Sequence, residues 1–287
     1  MPTPRILIMG NLQREGVRQQ IDGLHDWFSQ RAQVAWVGST RDKPPQVPGA
    51  LLCVVFGGDG TLLAAARAMA GSNLPLLGVN MGKLGFLAEF SVEHLRRHFD
   101  DILAGKVAPT RRMLLEMRVS SCQGGPFTSA VANDVAISAG PPFRMIQLML
   151  SQQGRPIVQY NGDGLIVSTP TGSTAYNMSA GGPIMEPTLE AVAVTPIAPH
   201  SLTVRPIVVR SDRELIVTAL KVNAGTMAIV DGQISTPLCE GDQVLIRRLG
   251  QDLLILPHPG RTFFQTLTSK LQWGRSPQDQ PPPGPAE

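Results

Sequence analysis

The sequence predicts an α/β N-terminal domain built on a Rossmann-like parallel sheet, followed by a mainly-β sandwich C-terminal domain. Three observations carry this. In the first hundred residues short apolar runs alternate with segments whose apolar residues recur at helical spacing. From about residue 110 the period shortens to two. Glycine and proline are frequent, 29 and 25 of 287 residues, and in the second half they separate the apolar runs as turns do.

Residues 6–9 form an apolar run that ends at Gly10 and reads as a buried strand; Val17, Ile21, Leu24 and Phe28 then mark one face of a helix. Residues 34–37 give a second strand, and the prolines that follow can continue neither ladder nor helix. Residues 51–56 are apolar throughout, as parallel strands covered on both faces are. They run straight into Gly57-Gly-Asp-Gly-Thr61. Residues 62–70, rich in Ala and Leu, predict a helix stopped at Gly71, and residues 74–79 a fourth strand. Ser91 reads as the N-cap of a helix through Phe99 and Leu103 to Gly105.

Beyond this point Met113, Leu115, Met117 and Val119 alternate with Leu114, Glu116 and Arg118. Residues 131–137, 165–167, 207–210, 215–220, 227–230, 244–248 and 253–256 read as further strands, which two packed sheets accommodate. After Pro259 the pattern turns helical through Phe264, Leu267 and Leu271, before a proline-rich tail. The expected division is therefore 1–108 for the α/β domain, 109–258 for the β-rich domain, 259–275 for a C-terminal helix and 276–287 for a disordered tail.

Composition narrows the function. Hydrophobic residues are 43% and charged ones 16%, enough for a packed core. Lys+Arg exceed Asp+Glu by only 25 to 22, and basic residues cluster no further than pairs such as Arg111-Arg112, so nucleic-acid binding is not expected. No apolar run approaches the roughly 20 residues of a bilayer span, and no signal peptide is read, so a cytoplasmic protein is expected. Cys53, Cys122 and Cys239 are odd in number and widely spaced, which disfavours disulfides and structural zinc. His94 and His98 are four apart but lack the zincin glutamate; a solvated helix face is expected, and His25, His200 and His258 show no ligand spacing. Gly82-Lys83 is followed by Leu84, which excludes a P-loop, and Leu63 replaces the third glycine of a dinucleotide fingerprint.

What remains is Gly57-Gly-Asp-Gly-Thr61. Glycines between a buried strand and a helix let backbone amides approach a phosphate, and the helix N-terminus favours its charge. Asp59 repels that phosphate, so it is expected to serve a hydroxyl, as a proton acceptor, or a magnesium ion; the alternative is a plain Asp-Gly turn. A second constellation runs from Asn161 through Asp163, Thr171, Thr174, Ala175, Tyr176 and Ser179 to Gly182, where an apolar strand delivers hydroxyls, glycines and one of two tyrosines, a ring able to stack on a base. Asn133-Asp134, polar within an apolar run, is a third.

At these residues the chain resembles the NAD kinases. That family carries Gly-Gly-Asp-Gly, then Asn-Glu or Asn-Asp, then an Asp-Gly…Thr-Pro-Thr-Gly-Ser-Thr-Ala-Tyr loop, and all three occur here in that order. The stretch 78–88 and the turn Asp231-Gly-Gln233 are also similar. The resemblance implies phosphoryl transfer from ATP, or polyphosphate, to the 2′-hydroxyl of the adenosine ribose of NAD, with Asp59 as proton acceptor. It implies that Gly58 and Gly60 approach the dinucleotide's phosphate and ribose. Asn133 and Asp134 would hold ribose hydroxyls. Asp163, Thr174, Ala175, Tyr176 and Ser179 would surround the bases, with Arg144, Asn161, Thr171 and Gln233 as further contacts. Magnesium is expected with ATP rather than in a cage of its own, and a homodimer or homotetramer is expected. Two positions depart from the family pattern: Asn161, where strictly NAD-preferring members often carry Arg, leaves NAD versus NADH open, and Ala64 stands where many members have a basic residue. A lipid kinase of the diacylglycerol type, which shares Gly-Gly-Asp-Gly, and a non-catalytic NAD-binding sensor are the alternatives.

Overall fold

The computed structural model describes residues 3–82, 84–121 and 125–273. The chain opens in β/α alternation with β1 (Arg5–Gly10), α1 (Glu15–Ser29), β2 (Gln33–Ser39), β3 (Ala50–Phe56), α2 (Asp59–Ala68), β4 (Leu76–Val79), α3 (Val92–Leu103) and β5 (Thr110–Arg112). A long antiparallel section follows: β6 (Leu115–Ser121), β7 (Gly125–Val131), β8 (Asp134–Ser138), β9 (Ile146–Gln152), β10 (Arg155–Gly162) and β11 (Gly164–Ser168). A single 3₁₀ turn, Thr171–Thr174, and the short α4 (Tyr176–Ser179) lead to β12 (Ala191–Ile197), β13 (Ile207–Arg210), β14 (Leu215–Lys221), β15 (Met227–Val230), β16 (Ile234–Pro237) and β17 (Gln243–Arg248). The described chain closes with β18 (Leu253–Ile255) and α5 (Phe263–Leu271).

The first sheet has the order β2-β1-β3-β4-β18-β5, parallel from β2 through β18. Its central strands are buried on both faces, which is why β3 is apolar without alternation. One face is covered by α1 through Val17, Ile21, Leu24 and Phe28 and by α3 through Leu95, Phe99 and Ile102. The other is covered by α2 through Leu62, Leu63, Ala65 and Ala66, joined by Leu114 and Ala132 from the β-rich section. Ser91 caps α3 by accepting from the His94 amide at 3.1 Å.

The remaining strands form two antiparallel sheets, β10-β9-β14-β17-β6-β7 and β13-β12-β11-β8-β15-β16. Met117 and Val119 of the first face Val135 and Ile137 of the second across one shared core, the sandwich the alternation predicts.

Four expectations change. Residues 253–256, read with the second-half strands, instead supply β18 to the first sheet, between β4 and the antiparallel β5; β4 would otherwise be an open edge. The run 131–137 is not one strand: β7 ends at Val131, β8 begins at Asp134, and Ala132-Asn133 form the corner between two sheets. Leu114, set by the alternation on the face opposite Met113 and Leu115, is buried as they are, because there both faces of the chain are covered. Cys239 is disulfide-bonded, against the reading from odd and distant cysteines, since folded antiparallel strands bring remote residues within reach. Cys53 is a free thiol in β3 whose pKa burial drives upward, and Cys122 lies outside the described residues, as does the expected tail 276–287.

Phe28 is fully buried and meets Phe56 and Phe99 edge-on at ring separations of 6.3 and 5.3 Å. Phe28→Ala is expected to destabilise the fold by about 3–5 kcal/mol in urea titration; a loss below about 1 kcal/mol would show that α1 is anchored elsewhere.

Candidate active site

The site begins where β3 ends. Gly57 has φ +150°, and a Cβ there would stand 2.3 Å from the Thr61 hydroxyl oxygen, so only glycine lets the chain turn into α2. Asp59 is the first residue of α2. Its Oδ2 accepts from the Phe86 amide at 2.8 Å and its Oδ1 from Leu87 and Ala88 at 3.0 and 2.9 Å. The loop after β4 is shaped to this carboxylate: a Cβ on Gly85 would sit 1.7 Å from Oδ1. The carboxylate therefore has a fixed position at a helix N-terminus, where the macrodipole favours negative charge.

Two cavities flank it. One, of about 990 Å³, is lined by Gly58, Gly60, Thr61 and Arg67 of the α2 segment, by Arg14 and Arg41 from the loops after β1 and β2, and by Gln233 of the β-rich section. The other, of about 270 Å³, is lined by Phe86 and Leu87, whose amides hold Asp59, by Thr171 and Thr174, and by the charged Glu89, Arg112, Glu186 and Arg261. Burial raises the pKa of Glu89 and lowers that of Arg112.

The hydroxyl-rich loop divides into scaffold and surface. Thr169 Oγ1 donates to the Ala132 carbonyl at 2.6 Å and accepts from the Gly172 amide at 3.1 Å. Ser173 Oγ donates to Pro170 at 2.7 Å and accepts from Met185 at 2.9 Å, while Asn177 Oδ1 accepts from Thr195 Oγ1 at 2.6 Å. These buried groups build the loop. Thr174 and Ala175 are half-buried, Tyr176 and Ser179 exposed. Two buried oxygens, Thr171 Oγ1 and Asn133 Oδ1, have no partner among the described residues, as groups awaiting a ligand would.

Asn133 and Asp134 are gathered by Asp231, at the tip of the β15–β16 hairpin. Asp231 Oδ1 accepts from the amides of Ala132, Asn133 and Asp134 at 3.1, 2.7 and 3.2 Å. Its Oδ2 accepts from Arg67 Nη1 at 2.7 Å. The Asp134 carboxyl is buried, and that burial, with the neighbouring Asp231 charge second, raises its pKa to about 7. Gln233 is bound by Arg67 and donates through Nε2 to the Gly60 carbonyl at 2.7 Å.

Asp59, Gly58, Gly60, Asn133, Asp134, Thr171, Thr174 and Gln233 thus lie around one junction, with Ala175, Tyr176 and Ser179 continuing it. Arg144, Asn161 and Asp163 do not. Ser168 pairs with Asp134 and Gly164 with Ser138, so Asp163, just ahead of β11, lies five residues from Ser168, roughly 17 Å away. The Ala139 amide bonds the Asp163 carbonyl at 2.8 Å, and Asn161 pairs with Gln147, which keeps Arg144 at that same far end.

Arg67 lies outside every motif; Asp231 and Gly85 lie inside the turn and the stretch named for their similarity, where neither was given a role. The spacing of Arg67, two turns beyond Asp59, was its only sequence signal. The histidines also differ from expectation. His94 and His98 are half-buried, with ring centroids 4.7 and 5.3 Å from that of His258, which β18 brings beside α3. Burial, then the charges of His94 and Arg261, push the His258 pKa down to about 4. Its Nδ1 accepts from the Gly260 amide at 3.1 Å, so Nε2 carries the proton of the neutral ring. Among the described residues no group of three or more His, Cys, Asp or Glu is placed to hold a metal.

Because the folded pKa of Asp134 lies above its unfolded value of 3.8, the folded state holds the proton that the unfolded state releases between pH 4 and about 7. Asp134 therefore costs stability progressively as pH rises through that window, and nothing further above it. Urea midpoints of wild type and Asp134→Asn, taken from pH 4 to 8, are expected to diverge in favour of the variant as pH rises. A pH-independent difference would show Asp134 ionised throughout.

Comparison with known proteins agrees with this geometry. Residues 24–107 match the ATP-NAD kinase N-terminal domain and residues 132–255 the ATP-NAD kinase C-terminal domain. An NAD kinase from Heliobacterium modesticaldum is 39% identical over 260 residues, covering 87% of this chain and 92% of that protein. Among solved structures, an NAD kinase from Archaeoglobus fulgidus in complex with ATP superposes with a TM-score of 0.74 at 25% identity, covering 93% of this chain and 98% of that one. Yeast NADH kinase complexed with NADH gives a TM-score of 0.79 at 22% identity, covering 96% and 89%, and shows the fold alone. The alternating sheet, the seated Asp59 and the shared β-rich section have one common explanation: this chain belongs to the NAD kinase family.

Proposed function

We propose that the protein transfers the terminal phosphoryl group of ATP to the 2′-hydroxyl of the adenosine ribose of NAD, giving NADP and ADP. The observation that carries this is the seat of Asp59. A carboxylate offers about four lone-pair positions. Three are occupied by the amides of Phe86, Leu87 and Ala88, which leaves one for a substrate hydroxyl. That hydroxyl gives its proton to Asp59 as its oxygen forms a bond to the γ-phosphorus and the bond from that phosphorus to the ADP oxygen breaks. Phosphoryl transfer asks the protein chiefly for such positioning and charge stabilisation.

The donor lies in the larger cavity, where the α2 N-terminus and the exposed Arg14 and Arg41 suit a chain of phosphates. Magnesium enters with ATP as part of that substrate; inorganic polyphosphate offers the same anionic chemistry. NAD takes the other side. Asn133 and Asp134 hold ribose hydroxyls, Thr171, Thr174 and Ala175 line the base, and Tyr176 stacks on it from the open face with Ser179 beside it. Gly58 and Gly60 admit the phosphates. Arg144, Asn161 and Asp163 reach a dinucleotide only from a second copy of the chain, which supports a homodimer or homotetramer. No described helix is long and apolar enough to cross a membrane; on this reading the protein works in the cytoplasm, where ATP and NAD are plentiful.

The test is NADP formation from ATP, magnesium and NAD, read by an NADP-specific dehydrogenase, with NADH, polyphosphate and diacylglycerol lanes. Asp59→Asn is expected to lower kcat about 100- to 10,000-fold while NAD still binds. Undiminished turnover would remove Asp59 as the base, and NAD binding without turnover in the wild type would favour a sensor. Gly85→Ala, which drives a methyl group into the carboxylate, is expected to cost about 100-fold in kcat through misplacement; an unchanged rate would mean that the seat does not set the reacting geometry.

A further inference from the structure

Asp59 opens the helix that follows β3 of the first sheet, whereas Asn133 and Asp134 lie where the chain passes between the other two, yet on the proposed reading they must meet the same ribose. Nothing in the local chain fixes the distance between them. Arg67 does so across the junction. It lies eight residues beyond Asp59 on α2, roughly 12 Å along the axis. Its guanidinium is forked: Nη1 donates to Asp231 Oδ2 at 2.7 Å and Nη2 donates to Gln233 Oε1. The two partners face opposite ways in function. Asp231, its side chain fully buried, uses its other oxygen to collect the amides of the Asn133-Asp134 turn. Gln233 uses its amide nitrogen to hold the carbonyl of Gly60, next to the catalytic carboxylate. The far end of α2 is thereby tied to the substrate-holding turn, and the near end to the same hairpin.

We infer that Arg67 is a positioning residue, which through Asp231 and Gln233 sets α2, and with it Asp59, at the working distance from the ribose-holding turn. This rests on the phosphotransferase reading for its kinetic consequence, though not for its structural one. A planar fork bonded to two partners is a demand that arginine meets and lysine does not.

A buried Asp231 left without its cation is costly, so Arg67→Met alone risks unfolding. The informative protein is the double variant Arg67→Met/Asp231→Asn. It removes both charges, keeps the aliphatic stem, and leaves a side-chain oxygen to collect the amides of the turn. Two readouts are made on it and on Arg67→Lys. In steady-state assays with ATP, magnesium and NAD, kcat is expected to fall about 10- to 100-fold in the double variant and less in Arg67→Lys, with the KM for NAD within threefold of wild type. Millimolar guanidinium is expected to restore part of the turnover of an Arg67→Met single variant if that protein is soluble. In hydrogen exchange, which needs no substrate, the first-turn amides of α2 are expected to exchange at least tenfold faster in the double variant, with α1 and α3 unchanged.

Turnover within twofold of wild type together with unchanged α2 exchange would overturn the inference. So would a tenfold rise in KM at constant kcat, which would make Arg67 a substrate contact. Should the wild type form no NADP, the functional reading fails by itself, and the exchange comparison still decides whether Arg67 clamps α2.

Discussion

The arrangement depends on one buried carboxylate that does no chemistry. Asp231 sits at a hairpin tip with φ 51°, a left-handed conformation that asparagine and aspartate tolerate better than most residues. From there it satisfies three backbone amides where the chain passes from one sheet to the other, and it neutralises Arg67. Without it the corner at Ala132-Asn133 would leave buried donors unpaired, each costing roughly 1–3 kcal/mol. Gln233, through Gly60 and Arg67, would then be left as the polar tie between α2 and this hairpin.

Its charge has a further consequence. Asp134 sits beside it in a buried position, and both effects oppose ionisation of the Asp134 carboxyl. The site thus sets two carboxyl groups in contrasting environments. Asp59 is half-buried and ringed by amide donors. Asp134 is enclosed, and burial raises its pKa to about 7. Separating the environments of two carboxylates is a general way for one site to present both a proton acceptor and a hydrogen-bond donor to a sugar.

Local patterns in the chain made much of this legible. The helical recurrence of Val17, Ile21, Leu24 and Phe28, the unbroken apolar run of β3 and the Ser91 cap each describe a contact within a few residues, and each is found in place. The three motifs could be read because their residue types are unusual where they stand. What sequence order hides is long-range closure. The return of residues 253–255 to the first sheet depends on the pairing of Ile255 with Leu76, 179 positions away, and that return is also what brings His258 edge-on to His94 and His98. The corner at Asn133 was invisible because Val131 and Val135 flank it with ordinary strand residues. Arg67 reads as a helix-surface residue until Asp231 is brought to it from 164 positions away.

On the proposed reading, the one free lone-pair position on Asp59 meets the 2′-hydroxyl of the adenosine ribose. A crystal structure of the protein with NAD and a non-hydrolysable ATP analogue measures it directly. The account predicts an Asp59 carboxylate oxygen about 2.6–3.2 Å from the ribose 2′-oxygen, with the amides of Phe86, Leu87 and Ala88 still in place and the analogue's γ-phosphate on the opposite side of that oxygen. A 2′-oxygen turned away from Asp59, or held by another carboxylate, would contradict it.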